Sequence, residues 1–350
     1  MTLDRLRVAV VTPLTDEHAD LIRQADPRID VVLEPDLLPP MRFPGDHNGE
    51  PGFSRTPEQQ VRFEQLCDSA DALYGIPDTD PAALARTAAA NPELKWVHTM
   101  AAGGGSQVKA AQLPQDQLER IEFTTSAGAH SQTLAEFAVF GVMCGAKDLP
   151  KLQSLQKDRT WADRWAMRQV FQMTVLVVGM GHIGRDTAKL FSALGARVIG
   201  VNRTVRDEQG VEQVYPVDQL AEVIGQADAV VNCLPEATDT TGLISAEVLA
   251  SLKPGAIFVS TGRGTCVDEQ ALVAALQDGR ISFAALDVFA VEPLPAESPL
   301  WAMDNVVIAP HTGALNAQED ELIAKLFAEN ARRLLDGEEL LNRVDKVKFY

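Results

Sequence analysis

Several short stretches of this 350-residue chain carry side chains with chemical reach, and each follows an apolar run. The first is Gly179-Met180-Gly181-His182-Ile183-Gly184, entered from the β-branched run 175–178 and followed by a helix-forming stretch, 185–194. Glycines at this spacing permit a tight turn, let backbone approach a pyrophosphate, and let the helix pack close on the strand. The helix N-terminus then aims free N–H groups at the anion. The His182 and Ile183 backbone lies inside this turn and is a candidate contact for the same phosphates.

About 20 residues further on, a site for NAD usually carries an acid that binds the ribose 2′-hydroxyl. Here the chain has Asn202-Arg203-Thr204. A carboxylate would repel a 2′-phosphate, whereas a guanidinium can grip one at two points. The functional reading is a preference for NADP(H), with NAD(H) still usable. The alternative is that Arg203 is a solvated surface charge and the site is indifferent.

Further apolar runs end in Cys233-Leu234-Pro235, Thr261-Gly262-Arg263-Gly264, Asp287-Val288-Phe289 followed by Glu292-Pro293, and Pro310-His311-Thr312-Gly313. In a doubly wound sheet, ligands bind beyond the carboxyl ends of the strands, where all of these fall. Leu234, Pro235, Thr261, Gly262, Asp287 and Gly313 are therefore candidate nucleotide contacts. Arg263, between two glycines that deny it packing neighbours, suits planar recognition of a carboxylate; the other reading is a structural ion pair. His311 with Glu292 is a candidate proton donor, because a neighbouring carboxylate stabilises an imidazolium. His18, His47, His98 and His130 lack such company in the sequence and read as structural. The small residues 101–105 expose successive backbone N–H groups, which predicts an anion nest at Ala102 and Gly103 or else a flexible turn. No His, Cys or carboxylate cluster has metal-ligand spacing, so no metal is expected.

The elements that must position these residues read as two rounds of strand-then-helix alternation, which favours parallel sheets covered by helices. Strands are expected at 7–12, 31–33, 72–75, 94–99 and 122–124, then at 175–178, 197–201, 229–233, 256–260, 284–288 and 306–309. Near-continuous apolar runs among them suit strands buried on both faces. The Pro/Gly-rich stretch 35–57 cannot form regular structure and reads as a surface excursion rather than a flap near a site. Thr133-Leu134-Ala135-Glu136 matches a capping box opening an almost wholly apolar helix, which is expected to be buried between domains or in a subunit interface. The last helix, about 318–335, carries Leu322, Ile323, Leu326 and Phe327 on one side.

Length allows two domains. A formal charge of −18, with 46% apolar and 23% charged residues, describes a soluble globular protein and argues against nucleic acid or anionic membrane as partner. Cys67, Cys144, Cys233 and Cys266 stand apart without C-x-x-C pairing, and the three in apolar surroundings read as buried, reduced core residues. With no signal peptide or span legible, the expected location is cytoplasmic.

Taken together, the 179–184 turn, Gly262-Arg263-Gly264, Asp287-Val288-Phe289 with Glu292-Pro293, and Pro310-His311-Thr312-Gly313 resemble the D-isomer-specific 2-hydroxyacid dehydrogenases over nearly the whole chain. The family's Arg, Glu and His fall on Arg263, Glu292 and His311. Asn202-Arg203-Thr204 looks like the NADP-preferring glyoxylate/hydroxypyruvate reductase branch. The resemblance implies a flavodoxin-like substrate domain, residues 1–128 with 318–350, and a Rossmann-type dinucleotide-binding domain, residues 129–317. It further implies a homodimer and reduction of 2-oxo acids to D-2-hydroxy acids by hydride transfer. In that mechanism Arg263 and the Ala102 and Gly103 backbone hold the substrate carboxylate, and His311 gives the proton. The family also includes nucleotide-sensing corepressors, the C-terminal-binding proteins, which is the alternative function. Two departures stand out: Gly105 sits where the family's substrate loop carries an aspartate, and the 35–57 stretch exceeds the family pattern.

Overall fold

The computed structural model describes residues 4–349. They form two compact units, residues 4–130 with 315–349, and Ser131–Ala314. In the first unit five strands, β1 (Leu6–Val10), β2 (Ile29–Val32), β3 (Ala72–Tyr74), β4 (Trp96–Thr99) and β5 (Glu122–Thr125), make one sheet in the order β2-β1-β3-β4-β5. Every pairing is parallel, so helices must cover both faces. Leu6, Val8, Val10, Leu73, Trp96 and Phe123 are accordingly buried.

The helices start where the sequence supplies caps. Thr15 and Asp80 accept N–H groups of the first turns of Asp16–Ala25 and Pro81–Ala90, and Thr56 with Gln59 closes a full capping box at Pro57–Asp68. The final helix, Glu319–Asp336, packs along Asp16–Ala25 and stacks Phe327 on Trp96 with ring centroids 4.3 Å apart. Its buried face runs through Ile323, Ala324, Phe327, Ala328, Ala331 and Leu335, whereas Leu322 is exposed. Leu322 precedes Ile323 by one residue, a rotation of about 100° that carries it off the face.

The 35–57 stretch is no simple excursion. It buries Leu37, Leu38 and Asp46 and, with Val11, Pro13, Asp78 and Thr79, lines a cavity of about 520 Å³ beyond the carboxyl ends of β1 and β3. Gly49 permits its close fold, because at φ +67° a Cβ there would lie 2.6 Å from the Pro39 ring.

The second unit holds β6 (Thr174–Val178), β7 (Arg197–Val201), β8 (Gln213–Tyr215), β9 (Ala229–Asn232), β10 (Ala256–Ser260), β11 (Ile281–Leu286) and β12 (Val306–Ile308). Their order is β12-β11-β10-β9-β6-β7-β8, again all parallel, so the chain reverses direction across the sheet beside β6. β8 is absent from the sequence expectation: it is a three-residue edge strand with an exposed Gln213 and no apolar run.

The helix that opens this unit, Ser131–Ala146, begins two residues before Thr133. Thr133 therefore lies within the first turn and is not the cap of a T-x-x-E box. The added half-turn buries Ser131, whose hydroxyl donates to Asp186 at 2.5 Å. One side of this helix lies directly on β10 and β11, where a Cβ at Gly141 would meet Ala285 at 2.7 Å. The other side is not enclosed within the unit: Phe140 remains 46% exposed. All four cysteines are buried free thiols, and no helix among the described residues is long and apolar enough to cross a membrane.

Candidate functional site

The glycines of the 179–184 turn hold three different positions. Gly179 adopts φ +97°, and a Cβ there would sit 3.0 Å from the Cys233 carbonyl. A Cβ at Gly184 would lie 1.9 Å from the Gly179 oxygen, which fixes helix against strand. Gly181 alone faces open space, with nothing within 4 Å of where a Cβ would stand. Helix His182–Ala193 starts from Gly181 with no side-chain cap on its first turn. An uncapped helix start beneath a glycine that clears the approach fits a dinucleotide pyrophosphate. His182 is exposed and Ile183 half-buried at this rim.

Asn202 ties the next loop to the turn. Its Oδ1 accepts the Met180 N–H at 3.3 Å and its Nδ2 donates to the Thr204 carbonyl at 3.0 Å. Arg203 and Thr204 are exposed on that loop. Arg203 is neither a bare solvated charge nor wholly free, because the Asp239 carboxylate lies 3.5 Å from its Nη1.

Asn232, at the end of β9, escaped the sequence reading. It is fully buried: Nδ2 donates to Ser260 Oγ at 3.1 Å and the Arg263 carbonyl at 3.4 Å, and Oδ1 accepts the Leu234 N–H at 3.1 Å. An Asn closing an apolar strand and leading into Leu-Pro was the available signal. Thr261, a candidate nucleotide contact, turns its hydroxyl to the Asn232 carbonyl at 3.3 Å. Leu234 is buried and Pro235 exposed.

The glycines beside Arg263 are required by the neighbouring loops rather than by Arg263. A Cβ on Gly262 would lie 2.4 Å from the Leu234 oxygen, and one on Gly264 would lie 1.9 Å from the Phe289 carbonyl carbon. Arg263 itself is half-buried, its Nη1 donating to the Gly262 carbonyl at 2.9 Å. Among the described residues no carboxylate lies within ion-pair distance of it, so the structural ion-pair reading fails.

β10, β11 and β12 are adjacent, so Arg263, the Asp287–Glu292 segment and His311 follow three neighbouring strand ends. At ~4.8 Å per strand, the outer two of these ends stand about 10 Å apart. His311 Nδ1 meets Glu292 Oε2 at 2.7 Å, while Glu292 Oε1 accepts the Phe289 N–H at 3.0 Å. Both side chains are partly open to solvent, at 44% and 35%. Asp287 is buried, and its Oδ1 accepts the N–H groups of Thr312 (2.9 Å) and Gly313 (2.8 Å). Burial pushes the Asp287 carboxyl upward, against the pull of those two amides. Its Oδ1 thus anchors the loop carrying His311, which adopts φ +52°. Left-handed backbone at a non-glycine residue costs energy and marks a position held by its surroundings.

In the first unit Ala102 and Gly103 are exposed in the turn between β4 and helix Gly105–Ala110. Two histidines there have the acidic company their sequence neighbours did not show. His130 Nε2 lies 2.9 Å and His47 Nε2 3.3 Å from Glu319 Oε1, the partners being 189 and 272 residues away in the chain. Hydrogen bonds from these rings hold the Glu319 carboxyl below its ordinary range despite burial. His98 is wholly buried between Thr124 and Ser126, and desolvation lowers its pKa to about 3.

The model of the D-isomer specific 2-hydroxyacid dehydrogenase NAD binding domain matches residues 139–313. The chain is 32% identical to a glyoxylate reductase of Korarchaeum cryptofilum, across 81% of this chain and 84% of that one. It is 31% identical to the D-3-phosphoglycerate dehydrogenase of Mycobacterium tuberculosis across 80% of this chain, and spans about half (53%) of that longer relative. A crystal structure of a D-isomer specific 2-hydroxyacid dehydrogenase from Xanthobacter autotrophicus Py2, in complex with NADPH and MES, superposes with a TM-score of 0.77 at 30% identity, covering 99% of this chain and 100% of that one. A strand order that reverses at the glycine turn, with Arg, Glu and His on three adjacent strand ends, accords with these matches: the chain belongs to the D-isomer-specific 2-hydroxyacid dehydrogenases, a family of NAD(P)-dependent oxidoreductases.

Proposed function

We propose that this chain reduces 2-oxo acids to D-2-hydroxy acids, with NADPH preferred to NADH. The observation that carries the reading is Arg263: a half-buried guanidinium without a carboxylate partner among the described residues, two strands from a His311–Glu292 pair. Such a group is ready for a planar anion, and the substrate carboxylate supplies one.

The Gly179–Gly184 turn and the first N–H groups of helix His182–Ala193 would hold the pyrophosphate, with Arg203 and Thr204 at the adenosine 2′-phosphate. When bound, the reduced nicotinamide supplies a hydride for the C2 carbonyl carbon. Arg263 clamps the carboxylate and draws electron density toward the carbonyl oxygen. His311 gives its proton to that oxygen, so the carbonyl gains one hydride and one proton and becomes the hydroxyl. Glu292 steadies the imidazolium before transfer and fixes the ring through Nδ1, leaving Nε2 for the proton. The Ala102–Gly103 backbone is our candidate for a second carboxylate contact.

The glyoxylate reductase likeness and the NADPH held by the Xanthobacter relative support the substrate class and the cofactor. We further propose a homodimer through the second unit, where Phe140 and Phe171 stand exposed; light scattering in solution tests it. The function is tested by following 340 nm absorbance with glyoxylate, hydroxypyruvate and phenylpyruvate, each with NADPH and NADH. Turnover of at least one acid, faster with NADPH, is expected. Oxidation of neither nucleotide by any of them would return the chain to a sensing role.

A further inference from the structure

We infer that Asp239 sets how tightly this chain holds a 2′-phosphorylated nucleotide, by competing with that phosphate for the Arg203 guanidinium. The inference rests on the NADP(H) reading proposed above. Arg203 follows β7 and Asp239 lies in the loop after β9; in the sheet these two strands flank β6, whose carboxyl end is the glycine turn. The 3.5 Å contact between Arg203 Nη1 and Asp239 Oδ2 therefore joins the loops on either side of that turn.

Both partners are held in place. Asn202 fixes the Arg203 loop through Met180 and Thr204. Thr240 staples the Asp239 turn, its hydroxyl donating to the Pro235 carbonyl at 2.7 Å and accepting the Ala237 N–H at 2.9 Å. A phosphate arriving at Arg203 must displace the Asp239 carboxylate and then remain near it. Both effects oppose the phosphorylated nucleotide, and neither applies to NADH, which brings no anion to that position. An exposed ion pair of this kind, with side chains 56% and 59% open, is worth about a two- to fivefold change in an equilibrium constant.

The test measures dissociation constants for NADPH and NADH by nicotinamide fluorescence, and for adenosine 2′,5′-bisphosphate by calorimetry, so that no turnover is needed. Asp239→Asn should tighten NADPH and the bisphosphate two- to fivefold and leave NADH unchanged, and the gain should vanish in an Arg203→Ala background. Unchanged or weaker NADPH binding in Asp239→Asn, or the same gain without Arg203, would overturn the competition. The wild-type ratio separates the two readings. Binding of NADPH no tighter than NADH brings down the cofactor preference itself, while a clear preference with an inert Asp239→Asn brings down only this inference.

Discussion

Replacing Glu292 with Gln removes one charge from the proposed proton donor and little else. The side chain keeps its length and an oxygen for the Phe289 N–H, now 3.0 Å away. What it loses is attraction between the carboxylate and an imidazolium whose Nδ1 lies 2.7 Å from Oε2. For charge centres about 4 Å apart, that attraction is ~4 kcal/mol at an effective dielectric of 20 and ~1 kcal/mol in bulk water. With the pair 35–44% open to solvent, about 1–2 kcal/mol is a fair value after screening. The amide also turns an N–H toward Nδ1, which favours a neutral ring with its proton on Nε2, a much weaker acid than the imidazolium. The expected fall in kcat/KM is about five- to thirtyfold. It should be measured with a 2-oxo acid under saturating NADPH, alongside the NADPH dissociation constant, which should not move because the Glu292 carboxylate is engaged by His311 and the Phe289 amide. A fall under threefold, or equal damage to NADPH binding, would refute the role given to this carboxylate.

His311→Gln should slow the hydride-transfer step by roughly 10²–10⁴-fold while NADPH still binds, read in single-turnover absorbance traces. Gly181→Val should fold normally, since nothing lies within 4 Å of its Cβ position, yet weaken NADPH about tenfold or more by filling the approach to the pyrophosphate; thermal melts and titration check both halves. Buried His98 gives stability a pH dependence of definite sign. Its folded pKa, about 3, lies below the unfolded value near 6.5, so the unfolded chain takes the proton first and stability falls as pH drops through that window. By pH 4.5 the loss from this residue is roughly 2–3 kcal/mol, and urea unfolding of His98→Gln should show a correspondingly flatter decline between pH 6.5 and 4.5.

The parallel sheets were legible because strands buried on both faces read as unbroken apolar runs, as Val175-Leu176-Val177-Val178 does. β8 was not, because an edge strand needs burial on one face only, and Gln213-Val214-Tyr215 offers one buried side chain. The glycine turn, Arg263 and the His311–Glu292 pair were legible because each is a local pattern at a strand end. What sequence cannot carry is a partner set by the fold. Glu319 reaches His47 and His130 from 272 and 189 residues away, and the glycines around Arg263 answer to Leu234 and Phe289 on neighbouring loops. The 35–57 stretch was misjudged for a related reason: proline and glycine exclude regular structure but not burial, and Leu37, Leu38 and Asp46 are all covered.

Asp287 shows how the second unit keeps its proposed proton donor in an unfavourable conformation. A left-handed φ at a residue such as His311 costs about 1–3 kcal/mol when surroundings do not impose it. Asp287 Oδ1 imposes it by accepting both the Thr312 and Gly313 amides, the two residues that follow. Hydrogen bonds to a charged acceptor contribute about 1.5–3 kcal/mol each, enough to offset the strain but tempered by the burial that pushes this carboxyl upward. A side chain at position 313 would crowd this carboxylate, because a Cβ at Gly313 would lie 3.0 Å from it. The same logic holds across the sheet, where buried Asn232 grips the Arg263 carbonyl. The groups proposed to meet substrate are thus aimed by buried polar residues one step behind them, which is why a pattern read only from reactive side chains finds the candidate site but not what holds it in shape.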